Sequence, residues 1–257
     1  MTRRALAVLV AALALALAAC GDDEGGDSGG DTKPRLTVSA AASLKGAFEA
    51  YGKQFTTADV RFSFAGSDEL AAQIRKGVKP DVFAAANTKL PDQLYDEGKV
   101  ERPEIFAGNR LVLAVPADSA IKGVDDLAEP GVKLAVGAES VPAGSYTREV
   151  LARLPAAEEK AILANVRSNE PDVSGVVGKL TQGAADAGFV YVTDVVATEG
   201  KVKVIELPES LQPSVEYGVA VVKGAKEPEQ ARKFIDGLVD GAGAQALNDA
   251  GFEPPPK

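Results

Sequence analysis

The sequence predicts an α/β protein of two lobes, built on mainly parallel sheets with two crossover hinge strands. Three observations carry this expectation. Short apolar, β-branched runs alternate along the chain with stretches of helical periodicity, as α/β architecture requires. Roughly 220 residues follow an N-terminal polar segment, enough for one large domain or two small ones. Two long apolar runs, Arg110–Pro116 and Glu216–Val222, bracket a central segment of about 100 residues. If these are crossover strands, they divide the chain into lobe one, residues 34–112 with 220–257, and lobe two, residues 113–219; a single sheet of about eight strands is the alternative.

Taken in order, the chain opens on a basic segment, Met1-Thr2-Arg3-Arg4, followed by the uncharged, Ala/Leu/Val-rich run Ala5–Ala19. That run is short for a membrane span and suits the apolar stretch of a secretory signal. It ends in Leu17-Ala18-Ala19-Cys20, which resembles a bacterial lipobox. The resemblance implies a signal peptide over residues 1–19, cleavage before Cys20, lipidation of its thiol, and anchoring on the extracytoplasmic face of the cell membrane. The plainer alternative is an ordinary signal with an incidental cysteine; Cys20 is the only cysteine in the sequence. Residues 20–33 carry no large apolar side chain and read as a flexible acidic tether.

From there the candidate strands are Arg35–Ala40, Val60–Ala65, Asp81–Ala86, Arg110–Pro116, Lys133–Gly137, Gly188–Val192, Lys203–Leu207 and Glu216–Val222. Helical spacing links Leu44, Phe48, Tyr51 and Phe55; Leu70 and Ile74; Tyr146, Val150 and Leu154; and Val173, Val176, Val177 and Leu180. The tail from Glu227 to Asn248 reads as one or two helices with Phe234, Ile235, Leu238 and Leu247 on the apolar face.

Composition removes several functions. With no histidine, Ser-His-Asp hydrolysis, histidine zinc sites and histidine general bases drop out together. One cysteine gives neither a disulfide framework nor a thiolate metal site. The formal charge is −9, and becomes −11 once Arg3 and Arg4 leave with the signal. No basic stripe suits a nucleic acid. An enzyme would have to work with carboxylates or lysines. Asp68-Glu69, the adjacent acidic pair beside a predicted turn, is better explained as acids in a helix first turn. Gly175-Val176-Val177-Gly178-Lys179-Leu180 lacks the leading glycine and final Ser/Thr of a phosphate loop.

What recurs is a strand, a turn of small residues, then a helix start: Ala40-Ala41-Ala42-Ser43, Ala65-Gly66-Ser67, Pro142-Ala143-Gly144-Ser145 and Pro171-Asp172-Val173. Each exposes the free N–H groups of a helix N-terminus, which carry about half a positive charge and attract oxyanions. Taken singly, Ser43 and Ser67 would most often be N-caps, Ala143 and Val173 carry no signal, and Tyr191 would be a strand tyrosine. Ligands of open α/β sheets nevertheless collect at the carboxyl ends of strands.

These residues resemble the molybdate-binding proteins of ABC importers, which have the type II periplasmic-binding-protein fold. The resemblance runs from about Arg35 to Phe252. It is carried by Ala41-Ala42-Ser43-Leu44, Phe64-Ala65-Gly66-Ser67, Pro80-Asp81-Val82-Phe83-Ala84, Gly108-Asn109-Arg110-Leu111-Val112, Leu134-Ala135-Val136-Gly137, Val141-Pro142-Ala143-Gly144, Gly188-Phe189-Val190-Tyr191-Val192-Thr193-Asp194 and Glu216-Tyr217-Gly218-Val219. Such proteins hold the oxyanion by two serines, two backbone N–H groups and a tyrosine hydroxyl. The resemblance places these on Ser43 and Ser67, on Ala143 and Val173, and on Tyr191. Asn87 departs from the aspartate frequent in relatives, and the stretch from Leu154 to Asp172 matches weakly. The resemblance further implies molybdate or tungstate as ligand, with no cofactor and no other metal, an ABC permease as partner, a monomer, and no enzymatic activity. Sulfate or another small oxyanion in the same cleft, and an enzyme on the same fold, are the alternatives.

A site without Lys or Arg is physically sufficient. Six or seven charge-assisted hydrogen bonds at about 1.5–3 kcal/mol each sum to about 9–20 kcal/mol before desolvation and closure are charged against them. Micromolar binding needs only about 8 kcal/mol.

Overall fold

A computed structural model describes residues Lys33–Pro256. The expected signal peptide, Cys20 and nearly all of the tether lie outside the described residues.

Among the described residues, ten strands form two five-stranded sheets. In the first half, β1 (Arg35–Ala41), β2 (Asp59–Ala65) and β3 (Val82–Ala85) lie in the order β2-β1-β3. The order then continues through β10 (Val215–Val221) to β4 (Glu104–Asn109). In the second half, β7 (Val166–Glu170), β6 (Leu134–Gly137) and β8 (Ala187–Tyr191) are followed by β5 (Leu111–Pro116) and β9 (Val202–Ile205). The halves repeat one plan: three parallel strands, then two that run antiparallel to their neighbours.

The sheets are therefore mixed rather than mainly parallel. Two strands cause this: β10 pairs antiparallel with β3 and β4, and β5 with β8 and β9. The two expected crossover runs do not each span both sheets. The chain leaves the first sheet at Asn109 and enters the second at Leu111, so the change falls on Arg110. It returns between β9 and β10, and β10 then lies wholly in the first sheet. The C-terminal segment covers the free edge of β4, where Gly108 and Glu253 exchange backbone hydrogen bonds of 2.8 and 3.0 Å. A covered edge cannot recruit a foreign strand.

Helices fill the faces. α1 (Lys45–Gln54), α2 (Ser67–Arg75) and α3 (Lys89–Asp96) belong to the first half. α4 (Pro142–Leu151), α5 (Ala156–Ala164), α6 (Val173–Thr181) and α7 (Val192–Val196) belong to the second. α8 (Pro228–Val239) and α9 (Ala242–Asp249) return to pack near α1. The expected spacing is realised in α1, which buries Ala47, Phe48 and Tyr51 and meets Phe234 of α8 ring to ring. Strands β4 and β7 and helices α3, α5 and α7 were not among the expected elements. β7 (Val-Arg-Ser-Asn-Glu) is an edge strand with no fully buried residue, so it lacks the apolar alternation that marks a strand.

Asp81 fastens the first half. It is 1% exposed and accepts hydrogen bonds from Thr37 N–H (2.7 Å), Thr37 Oγ1 (2.6 Å), Lys226 N–H (2.7 Å) and Glu227 N–H (2.9 Å). One carboxylate thus joins β1 to the start of α8.

Candidate functional site

The five residues expected at the site sit at the carboxyl ends of five strands. Ser43 lies in a 3-10 turn, Ala42–Leu44, directly after β1, and Ser67 opens α2 after β2. Ala143 is in the first turn of α4 after β6, and Val173 opens α6 after β7. Tyr191 is the last residue of β8. All five line one cavity of about 20 Å3, with β1 and β2 contributing from the first sheet and β6, β7 and β8 from the second. This is far below the roughly 300–1,000 Å3 of sites that take drug-sized ligands, and it suits one small group.

The side-chain donors differ in how they are held. Ser67 is 1% exposed, and its Oγ accepts the N–H of Ala86 at 3.1 Å. An oxygen already accepting keeps its own hydrogen for another partner. Tyr191 is 1% exposed, and its hydroxyl has no hydrogen-bond partner among the described residues. Burial pushes its phenol well above its ordinary pKa, with the neighbouring Tyr217, Tyr146 and Asp194 adding to the effect, so the group keeps its proton. An unpaired buried hydroxyl costs about 1–3 kcal/mol and calls for an explanation beyond packing. Ser43 is half-buried, and its Oγ lies 3.0 Å from the hydroxyl of Tyr217.

The backbone donors come from helix starts. The first intrahelical bond of α4 runs from Ser145 N–H to Val141 C=O at 2.9 Å, so the N–H of Ala143 precedes the ladder. Proline at the first position of α4 gives up no needed donor. Gly144 makes this placement possible: a β-carbon there would be driven into the carbonyls of Gly137 and Ala138 at the end of β6. Val173 follows Asp172, whose Oδ1 accepts Gly175 N–H at 3.0 Å and caps α6. The halves meet closely beside the cavity, since a β-carbon on Gly66 would run into the carbonyl of Pro171.

The lining includes no Lys or Arg, and Asp172, occupied as a cap, is its one charged residue. Hydroxyls and amides at two helix starts converge on a small gap. Such a set can neutralise an anion by oriented dipoles, with no counter-ion.

Sequence reasoning missed what stands behind the five. Tyr217 of β10 is fully buried and edges against Tyr191 at 5.8 Å between ring centroids. Asn109 donates to Tyr217 Oη at 3.3 Å and to Thr193 Oγ1 at 2.9 Å. Asp194 accepts the N–H of Tyr191 at 3.0 Å. Its carboxyl is raised to about 7 by burial, against the pull of that hydrogen bond and with a push from Asp172. A sequence signal existed for Thr193 and Asp194, which share a motif with Tyr191, and a fainter one for Asn109 and Tyr217, whose motifs hold no candidate, but nothing in the motifs separates a ligand from its support.

Comparison with known proteins gives a consistent picture. The family model described as bacterial extracellular solute-binding protein matches residues 36–253. The chain is 36% identical over 258 residues to the molybdate-binding protein ModA of Mycobacterium tuberculosis (strain H37Rv), covering 96% of this chain and 97% of the relative. It is 34% identical to the molybdate-binding protein ModA of Escherichia coli (strain K12), covering 95% and 96%. Among solved structures, the periplasmic molybdate-binding protein of Azotobacter vinelandii superposes with a TM-score of 0.76 at 23% identity, covering 86% of this chain and 100% of that one. At that identity the superposition speaks for the fold.

Proposed function

The chain belongs to the bacterial extracellular solute-binding proteins, and from that membership we propose that it binds molybdate, or its near-twin tungstate, between two lobes and delivers it to an ABC importer. Relatives of near-equal length, 36% and 34% identical, bear the name of molybdate-binding proteins. The protein works outside the cytoplasm, as that family does, and as a binder rather than an enzyme.

One observation carries the assignment to the cavity: the hydroxyl of Tyr191 is buried, without a partner among the described residues, where strand ends of both sheets meet. A tetrahedral dianion supplies acceptors for that hydroxyl, for Ser43 and Ser67, and for the N–H groups of Ala143 and Val173. Lobe one is taken as residues 34–112 with 220–257 and lobe two as 113–219, closing about the sheet change near Arg110. Residues 1–19 act as the signal, Cys20 carries the lipid, residues 20–33 tether a monomeric domain to the membrane, and the closed form docks on the permease. Selection against sulfate rests on size, because donors at fixed positions fit longer metal–oxygen bonds.

Thermal unfolding with molybdate, tungstate, sulfate, phosphate and chromate tests this. A ligand at a hundred times its Kd stabilises the folded protein by about 2.7 kcal/mol. Molybdate and tungstate should raise the Tm and sulfate should not. An equal response to sulfate sinks the size argument, and no response to any oxyanion sinks the assignment.

A further inference from the structure

Ser43 differs from the other hydroxyls of the cavity in having a hydroxyl as its neighbour, so the direction of that contact decides whether it can serve an anion. Asn109 settles the direction. Its Oδ1 accepts the N–H of Arg110 at 2.9 Å, which fixes the amide's orientation. Its Nδ2 then faces Thr193 Oγ1 at 2.9 Å and Tyr217 Oη at 3.3 Å, using both hydrogens. Tyr217 is 0% exposed, and its hydroxyl meets Asn109 and Ser43. Asn109 presents it only a donor, so the phenolic hydrogen has one acceptor, Ser43 Oγ at 3.0 Å. With its oxygen accepting from Tyr217, Ser43 has its single hydrogen left for the cavity. The rings of Phe252 at 5.4 Å, Tyr191 at 5.8 Å and Phe106 at 6.2 Å hold Tyr217 in place.

We propose that Asn109 and Tyr217 are positioning residues that aim the hydroxyl hydrogen of Ser43 into the anion cavity. This rests on the molybdate site described above and extends it to residues that touch no ligand. Asn109 is the last residue of the first sheet before the chain crosses, and Thr193 belongs to α7 of the second half. The relay is therefore anchored on both halves, and the aim of Ser43 depends on their mutual position. A chain of hydrogen bonds also polarises each member, making Ser43 a stronger donor than a free serine.

The test is a double-mutant cycle on the purified protein, with molybdate affinity read by titration calorimetry and ligand-free Tm read alongside. Ser43→Ala should weaken binding by about tenfold or more, as loss of a charge-assisted hydrogen bond does. Tyr217→Phe keeps the ring and should weaken it by about fivefold, less than the full loss because Ser43 can still find its direction some of the time. Added to Ser43→Ala, Tyr217→Phe should cost nothing further, because it acts only through Ser43. Asn109→Ser, which keeps tyrosine and serine, should follow the same pattern and decides the matter if Tyr217→Phe does not fold. Fully additive losses, or unchanged affinity in both Tyr217→Phe and Asn109→Ser while Ser43→Ala weakens binding, overturn the relay and leave the site standing. Unchanged affinity in Ser43→Ala removes Ser43 from the site and the relay with it.

Discussion

Tyr191 carries a buried hydroxyl with no partner among the described residues, at a cost to stability. Removing a buried unsatisfied group and keeping the ring should therefore help folding while harming binding. Tyr191→Phe is expected to leave ligand-free stability unchanged or raise it by up to about 1–3 kcal/mol. Molybdate affinity should fall by roughly 10- to 100-fold, the worth of one charge-assisted hydrogen bond. Calorimetric unfolding and binding titration on the same sample check the two signs, and a drop in both would make Tyr191 a packing residue. Asp194 gives a second prediction. Its folded carboxyl is raised to about 7 from an ordinary value near 4, so the folded protein holds a proton that the unfolded chain has lost. Its contribution to stability is present below about pH 4 and disappears as pH rises toward 7. A dianion near Tyr191, whose N–H Asp194 holds, adds like charge and favours the protonated form further. Binding should take up part of a proton near neutrality and weaken from pH 6 to pH 8. Titration in buffers of different ionisation enthalpy measures the uptake; Asp194→Asn should abolish it.

Elements explain which parts of the molecule were legible in the sequence. β1, β2, β6 and β8 end in small or aromatic residues, so the strand ends beside Ser43, Ser67, Ala143 and Tyr191 were legible, while the roles of those four residues came from family resemblance. β7 is a polar edge strand, invisible to periodicity, and it is the strand that presents Val173. The helix start at Pro171-Asp172-Val173 was read from the residues, but the role of Val173, like that of the other four, came from family resemblance. β4 was hidden because Arg110 joins it to β5 in one nearly continuous extended stretch, and no local feature says that partners change there. The contacts that organise the site run across long separations, such as Ser43 to Tyr217 and Asn109 to Thr193, and no pattern within a window reports them. Asp81 is another case, holding Thr37 of β1 44 residues before it and Lys226 at the start of α8 145 residues after it. Burial alone would raise its carboxyl, but hydrogen bonds from Thr37, Glu227 and Lys226 outweigh burial and hold it below its ordinary value. The stability it confers is present above its unfolded pKa and lost as pH falls through the lower, folded one. Asp81→Asn turns an amide N–H toward donors that need an acceptor. It should cost about 2–4 kcal/mol, one or two buried groups left unpaired, and remove the steep acid limb of the stability profile. Denaturant unfolding between pH 3 and pH 7 measures both.

For the whole molecule the tension is that a chain of net charge −9 is assigned a doubly negative ligand. The resolution is one of range. Amide and hydroxyl hydrogens act within hydrogen-bond distance, in a cavity small enough to exclude bulk water. Carboxylates across the surface act through solvent and are screened beyond about 10 Å at 0.1 M salt. Affinity is therefore set by the local dipoles and the approach of the anion by the global field. The two should respond oppositely from the usual pairing, in which an oppositely charged ligand is steered inward and salt slows it. Here salt screens a repulsion, so the association rate for molybdate should rise, by a few-fold, between about 10 mM and 200 mM ionic strength, where the screening length contracts from about 30 Å to under 10 Å. The dissociation rate, governed by contacts inside the closed cavity, should change little. Stopped-flow measurement of both rates with a non-binding salt such as sodium chloride tests this. An association rate that falls with salt would mean that a positive patch guides the anion, and the account of an approach governed by net repulsion would fail.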